Sequence, residues 1–477
     1  MLGLMGLLGA TMTSYGFHRD ELYFRTLSRH LTWGYVDQPP LTPVLIRLST
    51  AVFGDSLFAL RLPGVLLGPT VVVVLALLAR ELGGGRAAQV LAAFAACCAF
   101  VLISGHVFLT ATVDIPLSAL VLLFVIRALL RDEPRWWLAV GVVTGLSLYN
   151  KQLLPMLFLG VAGGLLIAGP RRVLRSRELW LGVLIALVLG LPNLIYQVSH
   201  DFPQLTMARA LADHKGDDNR VLFIPMQLLL LGPPMAAVWI AGWIQLFRRP
   251  QWRPVRALAW AYPLVAVFMF VTGSAFYYAF ALQLPLLAAG CVVTAQWAAG
   301  RRARWSLVIV ALVVSDVVGA FVALPLVPQS QVGGTPIGAI NQTARDSIGW
   351  PTYVRQVADV YAALPAQDRA NAVLLANNYG EYGSLEYFGG RYGLPAVYAG
   401  QNQLYEYGPP PATATVVVAV GFDNPAVLRG AFASCTAAGK LDDGVGVDNE
   451  EQGRIIWVCR SPVEAWPQLW GRFHHYD

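Results

Sequence analysis

Two adjacent carboxylates, Asp20 and Glu21, stand inside a polar stretch, residues 14–43, that interrupts an otherwise apolar N-terminal part of the chain. Arg19, Arg25 and Arg29 surround them, and the corner Asp37-Gln38-Pro39-Pro40 follows. Ionisable groups between apolar spans point to a functional site by default. Adjacent like charges in a partly desolvated cleft raise a carboxylate pKa toward the range in which it can deprotonate an acceptor hydroxyl. The simpler reading of the same residues is structural: Asp20 caps the helix implied by DELYFRTLSRHL, and Glu21 pairs with Arg25 one turn on. Asp37-Gln38-Pro39-Pro40 reads as a rigid turn by its local chemistry.

Further along, Asp114 in TATVDIPLSAL stands at the end of a strongly apolar segment. It either caps that helix with help from Thr112 or faces inward toward Asp20 to hold a polar substrate or a cation. Lys151 is the first lysine of a chain that otherwise uses arginine, the next being Lys215. A snorkelling interface residue is the plain reading; a lone cation at this place also suits a lipid phosphate. Tyr277 and Tyr278 fit an interfacial aromatic belt. The stretch 200–220, with Asp201, His214, Lys215, Asp217 and Asp218, reads as a solvated loop long enough to be a lid.

The elements that must position these groups follow from composition. Hydrophobic residues make up 56% of the chain and charged residues 13%, against roughly 25% charged in soluble domains; mean hydropathy is +0.55. Apolar runs near the length of about 20 residues needed to cross a bilayer recur. Eleven are expected: 1–15, 57–80, 87–107, 115–131, 136–150, 153–169, 179–198, 222–247, 256–273, 276–299 and 305–328. Alternate connections carry Arg80/Arg86, Arg127/Arg131/Arg135, Arg171/Arg172/Arg175/Arg177, Arg248/Arg249/Arg253/Arg256 and Arg301/Arg302/Arg304. That bias places this side in the cytoplasm and the polar stretch, Asp114, Lys151 and everything after 328 outside it. The basic pI of about 9.1 is then a matter of topology, and no nucleic-acid partner is needed.

Beyond residue 329 short β-branched runs, 372–376 and 415–422, alternate with turn signals, and residues 351–364 have helical spacing. The expectation is a polytopic α-helical membrane domain over 1–328, its first external loop spanning 16–56, followed by a soluble mixed α/β domain over 329–477 outside the cytoplasm. Cys435 and Cys459 both fall in that second domain, where a disulfide persists if it forms; spacing leaves the pairing open. Phosphate-binding P-loops, HExxH, CxxC, GxSxG and Asp-x-Asp patterns are all absent from the sequence.

In order, FHRDELYF, HLTWGYVDQPPLTP, TVDIP, LSLYNKQ and GSAFYYAF resemble bacterial polytopic glycosyltransferases of family 39, of the GT-C class. These are similar to protein O-mannosyltransferases and to the lipid A aminoarabinose transferase. LLANNYGEYGSLEYFG is similar to the soluble extension of many bacterial members. The resemblance implies a polyprenyl-phosphate sugar donor, transfer to an acceptor hydroxyl with the acceptor left open (glycan, lipid or protein), and a plasma-membrane setting. It implies that Asp20 is the base or orients the acceptor, with Glu21 in support. Asp114 matches the second acidic position and Lys151 a basic position near the donor phosphate. In the aminoarabinose branch a lysine and an acidic residue precede the Pro-Pro corner and serve phosphate and metal. Here Asp37 keeps the acidic group and Gln38 replaces the lysine, so charge neutralisation falls to Lys151, helped by Arg19. A divalent cation at Asp37 stays open. Tyr277 and Tyr278 lie in the last matching motif as substrate-binding candidates.

The absence of Asp-x-Asp and of nucleotide sugars outside the cytoplasm fits a lipid-linked donor. A transporter or flippase of a lipid-linked sugar is the alternative from another class. Transporters carry charge on broken mid-membrane helices, whereas here Asp316 is the one obvious acid deep in a late span. A membrane scaffold whose second domain binds a partner is a third reading.

Overall fold

The computed structural model of the protein describes residues 1–422 and 424–476. Its first part is helical: α1 (Leu2–Thr11), α2 (Arg19–Arg29), α3 (Leu41–Phe53), α4 (Leu57–Leu67), α5 (Thr70–Glu81), α6 (Arg86–Ala95), α7 (Ala99–His106) and α8 (Thr110–Leu130). There follow α9 (Trp136–Ser147), α10 (Leu153–Ala168), α11 (Arg177–Ser199), α12 (Pro203–Leu229), α13 (Pro233–Arg248), α14 (Arg256–Thr272), α15 (Phe280–Ala298) and α16 (Arg302–Ala323). Among the described residues, 6 helical stretches are long and apolar enough to cross a membrane: 57–81, 110–130, 177–199, 250–272, 276–298 and 302–323. The number rises to 8 if α6–α7, bent by 59°, and α12–α13, bent by 86°, each count as one span. The α12–α13 break falls where Gly232 takes φ +88° and Pro233-Pro234 removes two amide donors.

Small residues set the closest helix contacts. A Cβ on Gly141 of α9 would lie 2.2 Å from the Gly182 carbonyl of α11, and one on Gly242 of α13 would lie 2.3 Å from the Gly290 nitrogen of α15. Backbones that approach this closely gain dispersion contact where lipid offers no hydrophobic drive. On the opposite side of α11, Leu184, Leu187, Leu191 and Ile195 are exposed, as a lipid-facing stripe would be.

The stretch 200–220, expected as a loop, is helical from Pro203 onward. α12 begins at Pro203, a residue pre-set for the first helical turn. Asn219 donates to the Gly273 carbonyl at 3.0 Å, and Arg220 Nη2 donates to Val271 at 3.2 Å, near the end of α14. Hydropathy reads the polar run as loop because it weighs side-chain polarity and ignores helix propensity. Within the polar stretch 16–56 the helix expected from DELYFRTLSRHL is α2, and a second helix, α3, follows the Pro-Pro corner.

After α16 the chain builds a five-stranded sheet in the order β2-β1-β3-β5-β4: β1 Ala372–Ala376, β2 Val397–Ala399, β3 Val416–Val420, β4 Phe432–Lys440 and β5 Ile455–Pro462. β1 pairs in parallel with β2 and β3, and β5 pairs antiparallel with β3 and β4. Both faces of β1 and β3 are covered. Leu374 and Val418 enter one core and Val373 and Val417 another, as the period of two requires. Cys435 and Cys459, opposite each other across β4 and β5, are joined by a disulfide.

The first of those cores is shared with the N-terminal part: Phe17, Leu22, Tyr23, Ile46 and Phe108 pack in one cluster with Val354, Leu374 and Val458. The helix Tyr379–Phe388 lies on α2. A Cβ on Gly380 would stand 2.9 Å from Arg19 Cβ, and one on Gly383 would stand 2.7 Å from Leu22 Cβ. These two glycines let the C-terminal region sit directly on the helix that carries Asp20.

Candidate active site

α2 starts with a capping box. His18 Nδ1 accepts the Asp20 amide at 3.2 Å, and Glu21 Oε2 accepts the His18 amide at 2.8 Å. Asp20 is therefore not the cap; its side chain is left for other partners and is 32% exposed. Its Oδ1 accepts the Tyr379 hydroxyl at 2.9 Å.

Glu21 points the other way. Fully buried, it accepts Arg61 Nε at 2.8 Å and Arg61 Nη2 at 2.8 Å, and also takes the Phe108 amide at 2.9 Å. The expected pairing with Arg25 is absent: Arg25 is held by Asp55 and, at 3.1 Å, by Glu386. Glu21 thus ties α2 to α4 and to the segment before α8, and its acceptor positions are occupied by protein donors. Sequence spacing gave no hint of this, because Arg61 sits in an apolar run with no local acid.

The Asp37 corner is closed by the Tyr35 amide on the Gln38 carbonyl at 2.9 Å. Leu41 then donates its amide to Tyr149 at 2.7 Å, which joins the start of α3 to the turn between α9 and α10. That turn carries Asn150 and Lys151. Asn150 accepts Thr42 Oγ1 at 2.9 Å and donates to Asp114 Oδ1 at 3.3 Å. Asp114 is 4% exposed and lies in the second turn of α8. Thr112 does the capping, accepting the Leu109 amide at 2.9 Å. Asp114 is thus not the cap; its carboxylate is buried against Asn150, within reach of the Lys151 charge.

Lys151 Nζ lies 4.7 Å from the centroid of the Tyr278 ring. Its charge is also felt by Asp37 and Asp114, and Tyr277 lies within electrostatic reach of both Lys151 and Asp20. Asp37 is pushed up to about 6, chiefly by burial, with the Asp20 charge adding to the effect. The Tyr23 hydroxyl, donated to Asp37 Oδ1 at 2.8 Å, and the Lys151 charge pull in the opposite direction. Gln38, 3% exposed, leaves its Nε2 without a protein partner. A buried, unused amide donor on the residue after Asp37 is suited to an oxygen-rich ligand.

The structure therefore brings Asp20, Asp37, Asp114, Lys151, Tyr277 and Tyr278 into one electrostatic neighbourhood, with Gln38 next in chain to Asp37. Arg19 stands at its edge, within electrostatic reach of Asp20. Its guanidinium is ion-paired with Glu450 and stacked over the Tyr379 ring at 4.8 Å, so it also serves the contact with the C-terminal region. Among the described residues no group of three or more His, Cys, Asp or Glu side chains is placed to hold a metal ion. The carboxylates of this site do not assemble a metal cage on their own.

Sequence reasoning missed Tyr23, Thr42, Asn150 and Tyr379. Asn150 stands beside Lys151 in LSLYNKQ, and Tyr379 lies in NNYGEYG, both stretches that carry the resemblance; the side-chain roles had no signal of their own.

The description "dolichyl-phosphate-mannose-protein mannosyltransferase" belongs to the family model that matches residues 37–196. No match is found among curated proteins. In structure the chain is similar to ArnT from Cupriavidus metallidurans bound to undecaprenyl phosphate, with 15% identity, 96% of this chain and 97% of that one covered, and a TM-score of 0.59. It is similar to the archaeal oligosaccharyltransferase AglB from Archaeoglobus fulgidus, in complex with an inhibitory peptide and a dolichol-phosphate: 13% identity, 88% and 69% covered, TM-score 0.50. It is also similar to the arabinofuranosyltransferase AftD from Mycobacteria at 16% identity and TM-score 0.51, with 96% of this chain covered but only 39% of that one. At such identities the likeness speaks for the fold. The chain shares the GT-C-like fold of these structures, and its residues 37–196 match the dolichyl-phosphate-mannose-protein mannosyltransferase family model.

Proposed function

We propose that this protein is a membrane glycosyltransferase that moves a sugar from a polyprenyl-phosphate donor to an acceptor hydroxyl at the outer face of the plasma membrane. The observation that carries the reading is the convergence of one lysine and three carboxylates, Lys151 with Asp20, Asp37 and Asp114, from four different places in the chain. That set fits a displacement at a phosphate-bearing sugar carbon. Asp20, partly exposed and oriented by the Tyr379 hydroxyl, takes the acceptor proton as the acceptor oxygen bonds to the sugar carbon. The bond from that carbon to the phosphate oxygen breaks, and the phosphate leaves with its electron pair. Lys151 and the free Gln38 amide sit where they can stabilise the charge growing on that phosphate. The charges of Asp37 and Asp114 lie within electrostatic reach of Lys151, and Asn150 ties Asp114 to the turn that carries the lysine. Tyr277 and Tyr278 wall the lysine. Glu21 supports Asp20 by anchoring α2. The lipid donor is supported by the undecaprenyl phosphate and dolichol-phosphate bound in the similar structures.

In this reading the chain crosses the membrane eleven times: the 6 long stretches and two bent pairs, with α1, α9 and α10 as short spans. The region from 329 onward then lies outside the cytoplasm, a placement supported by the arginine bias of the alternate connections and by the Cys435–Cys459 disulfide. Membranes containing the protein are expected to transfer radiolabel from a polyprenyl-phosphate sugar to an envelope acceptor. Mass spectrometry of envelope glycans with and without the protein then identifies the product. No difference in any glycan, lipid or protein fraction, with no label transferred, would overturn the proposal.

A further inference from the structure

Tyr379 comes from the C-terminal region, 359 residues after Asp20, yet its hydroxyl is on Asp20 Oδ1 at 2.9 Å. Its ring is stacked on Tyr23, with centroids 4.7 Å apart and planes 29° from parallel, and Tyr23 in turn donates to Asp37. Tyr23 Oη also accepts the Gln403 amide at 3.3 Å, while Gln403 Oε1 takes the Val36 amide at 3.0 Å. Gln401 Oε1 holds the Tyr379 amide at 2.6 Å. Two segments of the C-terminal region, 379 and 401–403, thus grip both carboxylate-bearing elements of the site at once. Packing alone needs only the ring at 379, against which Arg19 and Tyr23 both stack. The hydroxyl adds an oriented donor to a half-exposed carboxylate, and a carboxylate with free rotation about its χ angles is otherwise poorly held.

We propose that Tyr379 is a positioning residue for the transfer reaction. Its hydroxyl fixes the Asp20 carboxylate toward the acceptor, and its ring holds Tyr23 in the orientation that keeps Asp37 in place. The C-terminal region is then a working wall of the active site, delivered by the close approach at Gly380 and Gly383. The proposal rests on the reading of Asp20 as the base.

The test uses the full chain and a radiolabelled polyprenyl-phosphate sugar. Tyr379→Phe keeps the ring and removes the hydroxyl. The expected result is a kcat lowered about 10- to 100-fold, the range for losing a hydrogen bond to a charged group, with the donor KM within about twofold. Tyr382→Phe, on the same helix, is expected to leave both parameters unchanged. If Tyr379→Phe loses its fold in a thermal melt, Tyr23→Phe reads the other end of the bridge and is expected to lower kcat at unchanged KM. An unchanged kcat in a folded Tyr379→Phe, or a raised KM alone, would overturn the proposal. Failure of the base reading is distinguishable: there Asp20→Asn itself stays active, whereas an inactive Asp20→Asn with a fully active Tyr379→Phe sinks only the positioning role.

Discussion

Arg61 Nη2 and Glu21 Oε2 meet at 2.8 Å with both side chains wholly buried, which fixes α2 against α4. The remaining Arg61 donors go to the carbonyls of Met12, Ser14 and Gly16. One ion pair thus gathers the chain on both sides of Asp20. Removing one partner of such a pair costs about 3–5 kcal/mol because the other charge is left stranded. Glu21→Gln is therefore expected to lower the melting temperature of the detergent-solubilised protein, while Asp20→Asn leaves it near the parent value. A Glu21→Gln protein that melts like the parent yet is inactive would make Glu21 a catalytic group instead.

Lys151 is the one ammonium in the site. Lys151→Gln keeps most of the side-chain volume and removes the charge, and kcat/KM for the donor is expected to fall about 10²- to 10³-fold, the scale for losing one group aimed at developing negative charge. Lys151→Arg is expected to recover part of the loss, since guanidinium also binds phosphate but with a different reach. Equal activity in the glutamine variant would remove Lys151 from the mechanism.

Asp37, pushed up to about 6 by its burial, gives the enzyme an acid limb. Its carboxylate is needed in ionised form beside Lys151, so transfer is expected to rise with pH through about 6 and to flatten above it. Tyr23, Asp20 and Lys151 face the group and are unchanged in Asp37→Asn, which is expected to lose this limb and run at a low, flat rate. The effect on stability has the opposite sense. A carboxyl whose folded value lies above its unfolded value of about 4 binds its proton more tightly in the fold, so its contribution falls as pH rises from about 4 to about 6.

The Cys435–Cys459 bond closes a sequence separation of 24 between β4 and β5. Loop-closure entropy puts its contribution at about 3 kcal/mol. Serine at both positions is expected to lower the unfolding temperature of the C-terminal region. Alkylating intact cells with a thiol reagent before lysis, followed by mass spectrometry, should find these two cysteines unmodified. Free, alkylated thiols at both positions would argue against the extracytoplasmic placement.

What the sequence reveals and what it hides follows from range. Polar groups in an apolar chain stand out, so Asp20, Asp37, Asp114 and Lys151 are legible one by one. α2 is legible because its apolar face is local, although its cap is His18 with Glu21 and not Asp20. β1 matches the short run at 372–376 and β3 falls inside the run at 415–422, whereas β4, with exposed small and polar residues, has no such signal. The partners of the site residues are not legible. Glu21 has a nearby arginine, Arg25, that fits the local pairing rule and is taken by Asp55 and Glu386 instead. Tyr379 reaches Asp20 only after the sheet and two glycines have brought the chain back. α12 was hidden because polarity resembles loop, although the residues favour helix.

The central claim is that Asp20 removes the acceptor proton. The most direct measurement is transfer of a radiolabelled sugar from its polyprenyl phosphate in purified membranes, comparing the parent with Asp20→Asn at matched expression and melting temperature. Loss of a general base costs about 10²- to 10⁴-fold, so transfer by Asp20→Asn is expected to drop at least about a hundredfold, with the donor still bound. Transfer at the parental rate by a folded Asp20→Asn protein would contradict the account.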